Sequence, residues 1–284
     1  MRQWIELDTY LEPLSLQIMQ RGLLASLIVA IVCGVIGTFV VVRGLAFLGD
    51  ALGHAVFPGV VIAYLLGTNL LLGGLAAALL TTLAVSVVSR HQHVRPSTAI
   101  GIFYTSAFAL GALLLSRDRS ASRALSELLI GNILAVRPQD LVLTAVVGAF
   151  VLVVVALLYK ELVLVSFDPA LAASLGRNVG LLDGALYALL ALAIVVSLQT
   201  VGNVLVVALL VVPAATARLV VRPLPAMMGL AALLGSFSTI VGLYVSYYGG
   251  IASGGAIVLC ACSFFFVVLL VRQARTQLRS MMAR

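Results

Sequence analysis

Charge is what this 284-residue chain has least of: Asp, Glu, Lys and Arg together make up 10% of it, against about a quarter in soluble globular domains. With 63% of its residues hydrophobic, a soluble fold is excluded. Lysine is almost missing as well. Lys160 is the single example, and the other 16 basic residues are arginines, whose charge is not lost by deprotonation. No G-x-x-x-x-G-K-[ST] segment occurs, and Lys160 lies in no glycine-rich loop, so the chain has no ATP-binding unit of its own. The three cysteines, Cys33, Cys260 and Cys262, fall inside apolar runs, which argues against a secreted disulfide framework. Cys260 and Cys262, two apart, point to nearly opposite sides of a helix, as core residues do. The basic residues sit in short clusters between apolar runs and never alternate with exposed aromatics. A net charge of +7 therefore belongs to loops, not to a nucleic-acid surface.

What the chain does have is apolar length. Runs at 23–42, 52–67, 70–89, 98–115, 139–159, 182–199, 202–220, 226–246 and 251–271 approach or reach the roughly 20 residues that a helix needs to cross a bilayer. They predict an all-α polytopic bundle of about nine spans. The second run is short and the apolar stretch 128–136 is too brief to cross, so eight or ten spans stay open. The first run exceeds the roughly 7 to 15 residues of a signal-peptide core and follows Glu6, Asp8 and Glu12, so it reads as a retained span.

The distribution of arginine places the tail with Arg272, Arg275, Arg279 and Arg284 in the cytoplasm. An odd number of spans then puts the N-terminus outside. This division gives an extracytoplasmic segment 1–22, with a short amphipathic helix over 10–20, a transmembrane domain 23–271 and a cytoplasmic tail 272–284. The longest inner loop, about 160–181, carries a helix start: Asp168 as N-cap, Pro169 at the first position, then Ala172 and an end near Gly176. A partner could grip such a helix; an ordinary capped connector is the other reading.

A charge at mid-helix costs roughly 2.5–3.5 kcal/mol on insertion scales, so those retained usually serve a purpose. Asp50 and His54, in GLAFLGDALGHAVFPG, are an acid and an imidazole set together in a long apolar region. Four residues apart, they stack on one face of a helix. Carboxylate oxygen with imidazole nitrogen suits Zn²⁺, Mn²⁺ or Fe²⁺. A buried Asp–His ion pair is the alternative. Gly49 and Gly53 form a G-x-x-x-G pair on the same helix, which permits close approach of another helix.

Gln199, Thr200 and Asn203, in SLQTVGNVLV, make a second polar cluster, with Gln199 and Asn203 predicted on one helical face. They line a pathway or bond helices together. Pro213, in ALLVVPAATARL, predicts a kink that serves gating or packing. His91 and His93 read as a solvated loop, with a loop metal site as the other reading, and Glu127, beside the stretch 128–136, and Asn132, within it, have no decisive reading.

The segments FLGDALGHAVFPGVVIAYLLG, LLIGNILAV, DPALAASLG and VGNVLVVALLVVPAATARL, in this order, resemble the membrane permease subunits of bacterial zinc, manganese and iron ABC importers, over residues 20–270 or so. The resemblance implies a type II importer-like permease in the bacterial cytoplasmic membrane. It further implies a second permease copy or a paralogue, a cytoplasmic ATPase dimer and an extracytoplasmic metal-binding protein. Carried over by residue, it makes Asp50 and His54 the metal site. Gln199, Thr200, Asn203 and Pro213 become weaker pathway candidates, and Asp168, Pro169, Ala172 and Gly176 the ATPase-coupling segment. It implies no permanent cofactor and no bond chemistry, only a transported ion, Zn²⁺ or Mn²⁺ ahead of Fe²⁺. A gradient-driven transporter would need more intramembrane acids, and a non-transporting scaffold would need neither Asp50 nor His54.

Overall fold

Lipid offers the backbone no hydrogen-bond partners, so apolar runs of this length close their bonds internally as helices. A computed structural model describes residues 15–88, 96–116 and 133–282, and the regular structure there is helical throughout. In chain order the helices are α1 (Gln17–Val42), α2 (Ala46–Ala55), α3 (Phe57–Leu65), α4 (Leu70–Val88), α5 (Pro96–Leu115), α6 (Pro138–Leu157), α7 (Tyr159–Phe167), α8 (Pro169–Ser174), α9 (Val179–Val201), α10 (Asn203–Val220), α11 (Leu224–Gly249) and α12 (Ser253–Met282).

Eight segments among the described residues are long and apolar enough to span a membrane, with α2 and α3 together, Ala46–Leu65, counting as one. The ninth predicted run, within α5, is a shorter apolar helix over Thr98–Leu114. Three local expectations change. The helix begins at Gln17 and runs unbroken into the first span, so residues 17–20 belong to α1 and not to a separate surface helix. The second span starts at Ala46, ahead of its apolar run at 52: Leu48, Leu52 and Ala55 bury one face while Asp50 sits on another, which dilutes the hydropathy. Most of the predicted inner loop is helical, as α7 and α8. Of the stretch 128–136, the described part is a 3₁₀ turn, Ile133–Ala135, packed on α1 with Ile133 buried. His91, His93, Glu127 and Asn132 lie outside the described residues.

α1 is central, with contacts to α6, α9, α10 and α11. Its apolar window is 67% buried, against 17% for α12 at the periphery. The reason is visible in its sequence: Gly22, Ala25, Ser26, Ala30, Cys33, Gly34, Gly37 and Thr38 are small and buried, and small residues let helix backbones approach where lipid supplies no hydrophobic drive between helices. The hydroxyls of Ser26 and Thr38 donate to the carbonyls of Gly22 and Gly34, at 2.5 and 2.8 Å, so burying them leaves no donor unpaired.

At the Arg43 end of α1 the guanidinium, with 8% of its side chain exposed, pairs with Asp183 of α9. Its Nε donates to Ser166 Oγ at 2.8 Å and its Nη2 to the Leu162 carbonyl at 3.4 Å. One side chain thus ties α1, α7 and α9 together. On the same end of the bundle Arg218 of α10 donates to the Val41 carbonyl at 2.8 Å.

The closest backbone approach is at Gly37, where a Cβ would sit inside the contact distance of the Leu210 carbonyl oxygen on α10. Gly37→Ala is expected to destabilise the chain by about 1–3 kcal/mol, read as a lower melting temperature in detergent. Gly229→Ala on exposed α11 surface meets nothing within 4 Å and should be neutral or stabilising.

Candidate metal-handling site

Asp50 and His54 lie on α2, whose Gly49 and Gly53 turn towards α10. A Cβ on Gly49 would meet Leu210, and one on Gly53 would overlap the amide of Asn203. The G-x-x-x-G pair therefore marks a real seam, in which the absence of side chains on α2 makes room for side chains of α10. The seam brings His54 to Asn203.

The geometry is compact. Asp50 Oδ1 stands 3.8 Å from His54 Nε2, and the Asn203 amide nitrogen stands 3.4 Å from that same ring nitrogen. The acid's side chain is 43% exposed and the imidazole 26%, whereas Asn203 is buried. Two aromatic rings of α5 hold the imidazole from the other side, Tyr104 and Phe108 edge-on with centroids at 5.2 and 5.7 Å. Phe57 stacks on Phe108 at 5.8 Å. The site thus has an open acidic mouth, a histidine and an aromatic wall.

It is also polar beyond its own means. Among the described residues His54 Nδ1 and Asn203 Oδ1 are buried with no hydrogen-bond partner, at a cost of about 1–3 kcal/mol for each such group. Among the described residues no third His, Cys, Asp or Glu joins the pair into a cluster of three or more.

The position of Asn203 corrects one expectation. Gln199 and Asn203 do not share a helical face, because α9 ends at Val201, α10 begins at Asn203, and Gly202 lies between them at φ 85° and ψ 161°. That backbone conformation is essentially restricted to glycine. The turn keeps its bonds, from the Gly202 amide to the Leu198 carbonyl at 3.1 Å and from the Val206 amide to the Gly202 carbonyl at 3.2 Å. It separates the cluster: Asn203 turns to His54, Thr200 is buried with its hydroxyl on the Ser197 carbonyl at 3.0 Å, and Gln199 stays half-buried on α9. Pro213 is inside α10 and buried, with its Cγ 3.6 Å from where a Cβ of Gly235 on α11 would stand.

The segment at α8 has the predicted start. Asp168 accepts from the Leu171 amide at 2.9 Å, ahead of Pro169 at the first turn. Its end is a Schellman turn, with the Arg177 amide on the Ala172 carbonyl and the Gly176 amide on the Ala173 carbonyl, both at 3.0 Å. Ala172 is buried against Val165 and Leu182, so it packs the segment down; the large apolar residues turned outward are Leu171 and Leu175, both exposed. Sequence reasoning missed these two, and it missed Tyr104, Phe108 and the Arg43–Asp183 pair. Asp183 was legible as an acid inside the apolar run 182–199.

Comparison with known proteins identifies the family. The sequence signature of the ABC 3 transport family matches residues 15–272. The chain is similar to the manganese transport system membrane protein MntC of Halalkalibacterium halodurans, 45% identical over 252 residues, which cover 89% of this chain and 86% of that one. It is similar to the manganese import system permease protein ScaB of Streptococcus parasanguinis, 41% identical over 249 residues, 88% of this chain and 89% of the other. Among solved structures, PsaBC from Streptococcus pneumoniae in complex with Fab superposes with a TM-score of 0.86 at 35% identity, covering 96% of this chain and 99% of that one. With eight membrane-length apolar segments among the described residues and a family match along nearly its whole length, this multi-pass membrane protein belongs to the ABC 3 transport family.

Proposed function

We propose that the chain is the permease subunit of an ATP-driven importer whose cargo is a divalent transition-metal ion, Mn²⁺ before Zn²⁺ or Fe²⁺. The observation that carries this reading is the convergence of the Asp50 carboxylate, the His54 imidazole and the Asn203 amide at one seam. The two ends of an amide exchange by rotation. Turned over, Asn203 would present its oxygen where its nitrogen now stands, 3.4 Å from His54 Nε2. Two oxygens and one imidazole make a harder set than thiolates or several imidazoles, and oxygen ligands suit Mn²⁺. The names of the relatives point the same way.

In this reading nine helices cross the membrane, with α5 as the fourth, and the N-terminus lies outside. A loaded metal-binding protein docks on the outer face of a permease pair. The ion passes to Asp50 and His54, held well enough to be accepted and loosely enough to leave. A cytoplasmic ATPase dimer engages the 160–181 segment, and ATP binding and hydrolysis alternate the access of the site between the two sides. The exposed Leu171 and Leu175 fit such a docking role, and the Arg43 clasp connects α7 to α1 and α9.

Uptake into proteoliposomes holding the whole complex tests the reading, with Mn²⁺, Zn²⁺ and Fe²⁺ compared with and without ATP. ATP-dependent Mn²⁺ entry is expected, and Asp50→Asn and His54→Gln should each lower it by roughly 10- to 100-fold or more. Entry that survives removal of the ATPase, or variants that import at the normal rate, would contradict it. A second expectation concerns coupling. Leu171→Glu with Leu175→Glu should weaken ATPase binding at least about tenfold while the permease still inserts and keeps its melting temperature, as measured by co-purification of the ATPase.

A further inference from the structure

The charged end of α12 carries a feature that metal transport does not use. Its apolar part stops at Val271, and Arg272 and Arg275 follow, three apart and therefore on one face. Alongside runs the end of α10, which packs against α12. Between the two helices lies a cleft of about 580 Å³ whose lining includes Leu219, Val220, Val267 and Val271 together with Arg272 and Arg275.

The cleft has two halves of opposite character. Val220, Val267 and Val271 are exposed apolar side chains, at the level where the apolar part of the helix ends. Both arginines are exposed, and among the described residues neither forms an ion pair. α12 contains no Asp or Glu to neutralise them. Arg218, next to Leu219 in the chain, is committed elsewhere, to the Val41 carbonyl. Two guanidinium groups with no ion pair among the described residues therefore stand over an apolar floor where the apolar part of α12 ends.

We propose that this cleft binds an anionic phospholipid. The phosphate ester lies against Arg272 and Arg275, whose planar forks suit phosphate oxygens, and an acyl chain runs down the wall formed by Val267, Val271, Leu219 and Val220. Charge complementarity selects an anion, and the apolar floor selects a lipid over a soluble phosphate. Basic pockets between transmembrane helices bind anionic headgroups for these reasons.

Native mass spectrometry of the full chain in detergent tests this, with phosphatidylglycerol and phosphatidylcholine of identical acyl chains as probes. Phosphatidylglycerol should be retained roughly tenfold or more over phosphatidylcholine, and millimolar inorganic phosphate should not displace it. The R272Q/R275Q chain should lose the preference, and R272K/R275K, which keeps charge but not the fork, should fall between. Equal retention of the two lipids by the unsubstituted chain overturns the proposal without recourse to any variant, as does displacement by inorganic phosphate or a preference unchanged in R272Q/R275Q. Loss of the bound lipid when the ATPase subunit is added would make the cleft a protein-docking surface and would overturn it too.

Discussion

Everything at the site depends on how closely α10 can lie against its neighbours. Three glycines permit it: Gly37 on α1 against the Leu210 carbonyl, Gly49 on α2 against the Leu210 side chain, and Gly53 on α2 against the Asn203 amide. In lipid there is no hydrophobic force to press helices together, so contact has to come from surfaces that fit. A side chain at any of the three would hold α10 away. At Gly53 that displacement would remove Asn203 from His54, and with it the convergence of polar groups.

Two charged arrangements show how differently burial is used. The Arg43 guanidinium has the Asp183 carboxylate, the Ser166 hydroxyl and the Leu162 carbonyl as partners. It is well provided for, and its place is structural: it fastens α7 and α9 to the end of α1. Asp50 and His54 stand 3.8 Å apart, beyond hydrogen-bond length, and among the described residues His54 Nδ1 and Asn203 Oδ1 find no partner. A pair kept only for stability would be satisfied by its surroundings, since a half-satisfied buried network costs more than an apolar one. The deficit fits a site that takes its remaining partner from the cargo. The aromatic wall of Tyr104 and Phe108 shields one side of the imidazole, and the carboxylate is the more exposed of the two groups.

Much of this was legible in the sequence, and the rest was not for identifiable reasons. Apolar length gave the spans, because the bilayer imposes length directly. The spacing of Asp50 and His54 gave their shared face, since both lie within α2. Asp168 and Pro169 gave the start of α8, a wholly local signal. The joining of Asn203 to His54 spans 149 positions and follows from helix packing that no local pattern encodes. Gly202 was readable as a glycine but not as a break, because a single glycine also occurs within intact spans, as Gly148 does in α6. Leu171 and Leu175 sat beside the residues singled out; on a six-residue helix the inward face becomes known only once Val165 and Leu182 are seen to pack on Ala172.

The central claim is that Asp50 and His54 meet the transported ion within the membrane. Its most direct test is anomalous diffraction at the manganese edge from crystals of the assembled complex grown with Mn²⁺. The account predicts a peak within coordination distance of the Asp50 carboxylate and the His54 imidazole, lost in Asp50→Asn. A complex that carries Mn²⁺ only elsewhere, with no peak at this pair in any conformation captured during transport, would contradict it.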